Sequence, residues 1–196
     1  MNDSSLFIVY LVSKTPKNLL RQIMKKLLLL IFTAVLSLNL QAQSIDKTKS
    51  IVNFKIGNMK ISSVKGTFTN MSGTINFEEA DLKNSSFDVC VDASTVNTKN
   101  KNRDKTLTEA GFFDVEKYPK ICFKSKDIYI TPDGFAAKGK LSMHGVTKDE
   151  IISFSYKNNH FNGELEVSRE AYKIGDSMGN FLISDTAKLE IDCFVK

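Results

Sequence analysis

From Ile45 onward the chain alternates apolar and polar residues with a period of two, and this constrains what it can fold into more than any other feature. Val52, Phe54 and Ile56 are interleaved with Asn53 and Lys55, and Phe87, Val89 and Val91 with Asp88, Cys90 and Asp92. Leu189, Ile191 and Cys193 alternate with Glu190 and Asp192. A strand sends successive side chains to opposite faces, so each stretch has one apolar face and one wet face. The pattern recurs at 64–68 with Val64 and Phe68, at 73–77 with Ile75 and Phe77, and at 121–123 with Phe123. It returns at 135–143 with Leu141, at 152–156 with Phe154, and at 161–169 with Leu165 and Val167. Turn-forming pieces such as Thr131-Pro132-Asp133-Gly134 and Lys157-Asn158-Asn159 separate the stretches. Eight or nine strands with short turns fill the chain after residue 42, which is the size of one closed barrel and leaves no room for a second domain. The expected fold is all-β, a single eight-stranded antiparallel β-barrel with the apolar residues named here facing its interior.

Residues 98–111 break the alternation. They are polar and basic and read as a short helical lid ending at Gly111. Phe112 and Phe113 follow, and two adjacent aromatics are buried together only where the chain turns, so they are expected to plug or gate one end of the barrel. The lid carries Lys99, Lys101, Arg103 and Lys105, of which Arg103 and Lys105 are candidates for the rim, where a ligand's head group would sit. Arg169, a third candidate for the rim, shares parity with Leu165 and Val167, and a charge on an inward face needs a partner. Asp104 or Asp114 is the expected one. Cys90 and Cys122 fall on outward parity in strands flanking the lid, and a bond between them requires a register that the pattern leaves open. With three Cys in all, at least one thiol is free.

The N-terminal part follows a different logic. Met24-Lys25-Lys26, the apolar run Leu27 to Leu38, and Asn39-Leu40-Gln41-Ala42 have the order of a secretory signal peptide. Residues 24–42 are read as that signal, 1–23 as an untranslated upstream extension, and 43–196 as the barrel domain. The apolar stretch Leu27 to Leu40 is shorter than the roughly 20 residues a spanning helix needs, so no stable membrane span is expected. The expected location is periplasmic or secreted. The 27 basic and 22 acidic groups give a formal charge of +5, but five of the basic groups lie before residue 43 against Asp3 alone. The nearly neutral remainder lacks the positive field that binding to a phosphate backbone requires, which argues against nucleic acid.

Chemistry is sparse. His144 and His160 are the only histidines, and neither accompanies a nucleophile motif, a zinc motif or a Cys/His cluster. No catalytic residue, no metal site and no required cofactor are therefore expected. The carboxylate pairs Glu78-Glu79 and Asp149-Glu150 fall where hairpin turns are expected. The 14 Phe are compatible with a filled core or with an apolar tunnel.

A set of short motifs adds to this reading: Ser50-x-Val52-x-Phe54-x-Ile56, Ser62-x-Val64-x-Gly66-x-Phe68, Arg103-Asp104 with Leu107, Phe112-Phe113-Asp114-Val115, Tyr118-Pro119, and Gly139-x-Leu141 with Gly145-Val146-Thr147-Lys148. In combination they resemble the YceI-like family over about residues 45–195. That resemblance implies an exported, lipocalin-like barrel, not an enzyme, that carries a long isoprenoid lipid, such as a quinone tail or polyprenyl chain, in its interior. The chain departs from the family pattern at Asn58 and Thr106, where many members carry His. The competing readings are an interaction module with a solid core and, less favoured, an enzyme acting on small exported substrates. A homodimer is left open.

Overall fold

A computed structural model describes residues 21–22, 24–26, 42–58, 62–178 and 183–196. The chain divides into two compact units, Met1–Gln41 and Ala42–Lys196. In the first, the described residues are helical and exposed, and the expected leader and upstream extension otherwise lie outside the described residues. No described helix is long and apolar enough to cross a membrane.

The second unit is built from nine strands: β1 (Ile51–Asn58), β2 (Ser62–Phe68), β3 (Ser72–Asn76), β4 (Ser86–Asp92), β5 (Lys120–Thr131), β6 (Gly134–Met143), β7 (Val146–Lys157), β8 (His160–Ser168) and β9 (Ile183–Phe194). They form one sheet in the order β2-β1-β9-β8-β7-β6-β5-β4-β3, with every neighbouring pair antiparallel. The sheet curls into a lipocalin-like half-barrel. It has nine strands where eight were expected, because β2 and β3 are successive halves of one bent run. Both run in the same direction, and only residues 69–71 separate them. The first half pairs with β1 and the second with β4, so the run crosses from one edge of the sheet to the other. Asn70 and Gly73 make the bend, with φ of 58° and 132°. A Cβ at Gly73 would stand 2.0 Å from the Asp88 carbonyl oxygen, so only glycine fits this approach. The outer edge of β2 is capped by reciprocal bonds between Thr67 and Asn97, both 3.0 Å, and that of β3 by the Gln43 amide donating to the Ile75 carbonyl at 2.8 Å.

The expected lid is helix α1 (Lys101–Thr108), shorter than the 98–111 segment because Asn100 caps it by accepting from the Arg103 amide. α1 and the β1–β2, β6–β7 and β8–β9 connections belong to one end of the barrel, as strand direction requires. At the other end Phe77 is the hub of an aromatic floor, its ring centroid 5.2 to 6.0 Å from those of Phe87, Phe135, Phe154, Tyr156 and Phe161. The wet face carries exposed ion pairs such as Lys124–Asp88 at 2.9 Å, which contribute little to stability. Asp149 and Glu150 lie within β7 and not at a turn, since the strands continue past their apolar residues to the tight turn at His144-Gly145. His160 likewise opens β8 and bonds Asp192 at 2.9 Å.

Cys90 and Cys122 stand directly opposite in the β4–β5 register and form a disulfide. It closes a loop with a sequence separation of 32 that contains α1 and the Phe112-Phe113 turn. Replacing both with Ser should lower stability by about 2–4 kcal/mol while leaving the fold intact, because the bond acts chiefly by restricting the unfolded chain. Urea unfolding of the variant and the parent, compared by midpoint and slope, checks this.

Candidate functional site

The concave face of the sheet encloses a cavity of about 460 Å³, within the range of small-molecule pockets. Parity puts its walls in place. Val52, Phe54, Ile56, Val64, Phe68 and Ile75 line it from β1 to β3, and Phe87, Val89, Phe123, Leu141 and Phe154 from β4 to β7. Leu165, Val167, Leu189 and Ile191 complete the wall on β8 and β9. Phe77, read from sequence as part of the wall, instead lies in the floor beneath it, 5% exposed.

Phe112 and Phe113 also line the cavity, and the chain turns after them at Asp114, where φ is 46°. The two rings diverge there. Phe113 meets Phe68 edge to face at 5.2 Å, while Phe112 packs where a Cβ on Gly175 would sit, 2.8 Å away. The latter contact is fixed by the Gly175 amide donating to the Gly111 carbonyl at 2.8 Å. Together they tie the chain after α1 to the β8–β9 connection.

The width of the cavity depends on inward glycines that the alternation hides, since a missing side chain carries no apolar signal. Gly66 lies opposite Phe54, whose ring occupies the place of its Cβ, 2.4 Å away. Gly163 lies between Phe154 and Ile191, and a Cβ there would come no closer than 3.2 Å to Ile152. Other lining residues missed from sequence, among them Met71, Leu107, Ile174, Met178 and Ile183, sit in loops, in the lid or at a strand end.

The two arginines of the cavity differ in what holds them. Arg169 is buried, at 4% exposure, but neither Asp104 nor Asp114 holds it. Its guanidinium donates to the carbonyls of Ile174, Gly175, Met178, Ile183 and Ser184 at 2.7–3.3 Å, and reaches Glu170 at 3.5 Å. Residues 174–178 and the start of β9 surround it, bringing in oxygens that parity cannot foresee. Asp104 is engaged elsewhere, accepting from the amide and hydroxyl of Thr98. Arg103 is half-buried and held by Thr98, to whose hydroxyl and carbonyl it donates at 2.8 and 3.0 Å. Lys105, expected at the rim, is exposed and takes no part in the cavity wall.

Two buried ionisable groups complete the interior. Tyr172, at 0% exposure, donates to Glu150 at 2.8 Å, and burial with that neighbouring carboxylate pushes its hydroxyl well above the usual phenol range. Cys193 is a free thiol in the cavity wall, and burial raises it from 9.0 to about 11. A thiol at that value is a poor nucleophile at neutral pH. Among the described residues no group of three or more His, Cys, Asp or Glu is placed to hold a metal ion.

The YceI-like domain family matches residues 43–194, and the chain belongs to that family. A UPF0312 protein of Vibrio cholerae is 32% identical over 141 residues, spanning 68% of this chain and 75% of its own. A UPF0312 protein of Pseudomonas savastanoi is 34% identical over 127 residues, 64% of each chain. Among solved structures, Burkholderia cenocepacia BcnA superposes with a TM-score of 0.66 at 21% identity, covering 76% of this chain and 98% of its own. The Campylobacter jejuni YCEI protein gives 0.60 at 27% identity, with 69% and 86% covered. A polyisoprenoid binding domain from Saccharophagus degradans gives 0.60 at 16% identity, with 79% and 98% covered.

Replacing Arg169 with Ala leaves several buried carbonyls without a donor. This should cost about 3 kcal/mol and speed amide exchange at residues 174–178, as read by urea unfolding and hydrogen-exchange mass spectrometry.

The raised Cys193 thiol also predicts a slope. Between pH 9 and about 11 the unfolded thiol ionises while the folded one stays protonated, so stability is full below pH 9 and falls as pH rises through that window. Cys193→Ala should remove this part of the decline in pH-dependent melting.

Proposed function

We propose that this protein is a carrier, not an enzyme, and that it holds the chain of a long isoprenoid or similar lipid inside the barrel. The carrying observation is the cavity itself: about 460 Å³ of space walled almost wholly by apolar side chains, on a scaffold whose backbone is paired without filling the interior. A solid-core interaction module has no use for such a space. A polyisoprenoid-binding relative of the same fold supports the choice of ligand class. The signal-like segment before residue 43 supports a place outside the cytoplasm, where such a carrier would move its cargo between membranes.

Burying apolar carbon yields about 0.8 kcal/mol per methylene, whereas association costs roughly 4 to 15 kcal/mol. Short chains therefore break even and long ones bind. Affinity should rise about tenfold for every two methylenes buried until the cavity is full, since a decade requires 1.4 kcal/mol.

The test is mass spectrometry of an organic extract of the purified protein, followed by titration with isoprenols of increasing length. Gly163→Leu should fill the cavity without adding charge, and Leu141→Asp should place an unpaired charge in its wall, so both should abolish binding. Lys138→Asp, on the outer face of β6, should leave affinity nearly unchanged. Affinity that ignores chain length, or equal losses from the inward and outward changes, would move the binding site to the surface.

A further inference from the structure

We propose that the carried lipid is an acidic amphiphile, with a carboxylate or phosphate head seated against the Arg103 guanidinium. This deepens the carrier reading and rests on it.

Arg103 has been fixed but not neutralised. Its Nε donates to the Thr98 hydroxyl and its Nη2 to the Thr98 carbonyl, so the fork is pinned from one side, while Nη1 donates to no described acceptor. No carboxylate lies within 4.0 Å of it among the described residues. The nearest candidate in sequence, Asp104, accepts from the same Thr98, so the negative charge stands behind the threonine and does not form an ion pair with the arginine. Arg103 nevertheless forms part of the cavity wall beside Leu107, Phe112 and Phe113.

A half-buried cation with a locked orientation, a spare donor edge and no counter-ion is a preorganised anion acceptor. The comparison with Arg169 sharpens this assignment. That arginine faces the same cavity, but its nitrogens are engaged with the carbonyls of the β8–β9 connection, so its role is accounted for by the fold. Arg103 has no such structural load. Lys99, Lys101 and Lys105 stand exposed around it and add a positive field that would draw an anion to this end of the barrel.

A neutral head, such as a hydroxyl or a quinone carbonyl, would accept a hydrogen bond from Nη1 but leave the charge unbalanced. A carboxylate or phosphate does both. Apolar chain and anionic head would then occupy opposite ends of one site, the chain running towards the aromatic floor and the head remaining beside α1.

The experiment compares three probes with one chain: geranylgeraniol, geranylgeranoic acid and geranylgeranyl monophosphate. Each is titrated calorimetrically into the protein and into Arg103→Gln, Arg103→Lys and Lys105→Ala, with melting curves to establish that each variant is folded. The expected result is at least about tenfold tighter binding of an anionic probe than of the alcohol, weakened by salt. Arg103→Gln should erase most of that preference by weakening the anionic probes far more than the alcohol, Arg103→Lys should keep part of it, and Lys105→Ala nearly all. The order of acid and phosphate tells which head is carried. Equal affinity for all three probes, or a preference that survives Arg103→Gln, overturns the assignment of the head group while leaving the interior carrier intact. Failure of every probe to bind overturns both.

Discussion

Backbone pairing at the two edges of the sheet is the constraint on which the rest of this structure depends. A barrel that keeps its interior empty gives up the close packing that stabilises most small domains, and the loss falls on the residues around the void. The ladders must then carry the shape, and an open edge would let the walls spread. Here the chain meets this need by sending one bent run across both edges. β2 completes β1, β3 completes β4, and Asn97 and Gln43 cap the sides left over. The bend itself depends on Gly73, where Asp88 comes too close for any side chain.

Within that frame the interior divides into two regions of different construction. The aromatic floor around Phe77 is packed edge to face and closes one end with contacts of the kind that stabilise a core. The opposite end is assembled from α1, the Phe112-Phe113 turn and the β8–β9 connection, joined by a ring on glycine and by one buried arginine. Cavity space lies between them.

Much of this was legible in the alternation. Parity alone separates Val89 and Val91 from Asp88 and Cys90, and it places Phe54, Phe123 and Leu189 on the concave side, because one face of a strand must be buried and the other wet. Pairing across distance was not legible. Nothing in Val64 to Phe77 announces that the run changes partners midway, and nothing in Cys90 or Cys122 reveals that they are opposite. Glycines such as Gly163 shape the cavity by what they lack, and Lys105 lies on the exposed side of a helix too short to have a clear apolar stripe. Inward parity accounts for the burial of Arg169, but not for its partners, which are neither Asp104 nor Asp114. Apart from the Glu170 carboxylate, its described acceptors are main-chain oxygens, which every residue carries and no sequence pattern marks.

That choice of acceptor has a consequence for how the lining of the cavity can be altered. An arginine that holds a loop through its carbonyls is indifferent to the side chains the loop presents, because each oxygen survives any substitution that keeps the backbone path. Ile174, Met178 and Ile183 face the cavity from the segment so held. The anchor keeps their main chain in place whatever side chain each carries. The lining that these residues give the cavity and the hold on their main chain are thereby written in different atoms, so a substitution can revise one without rewriting the other.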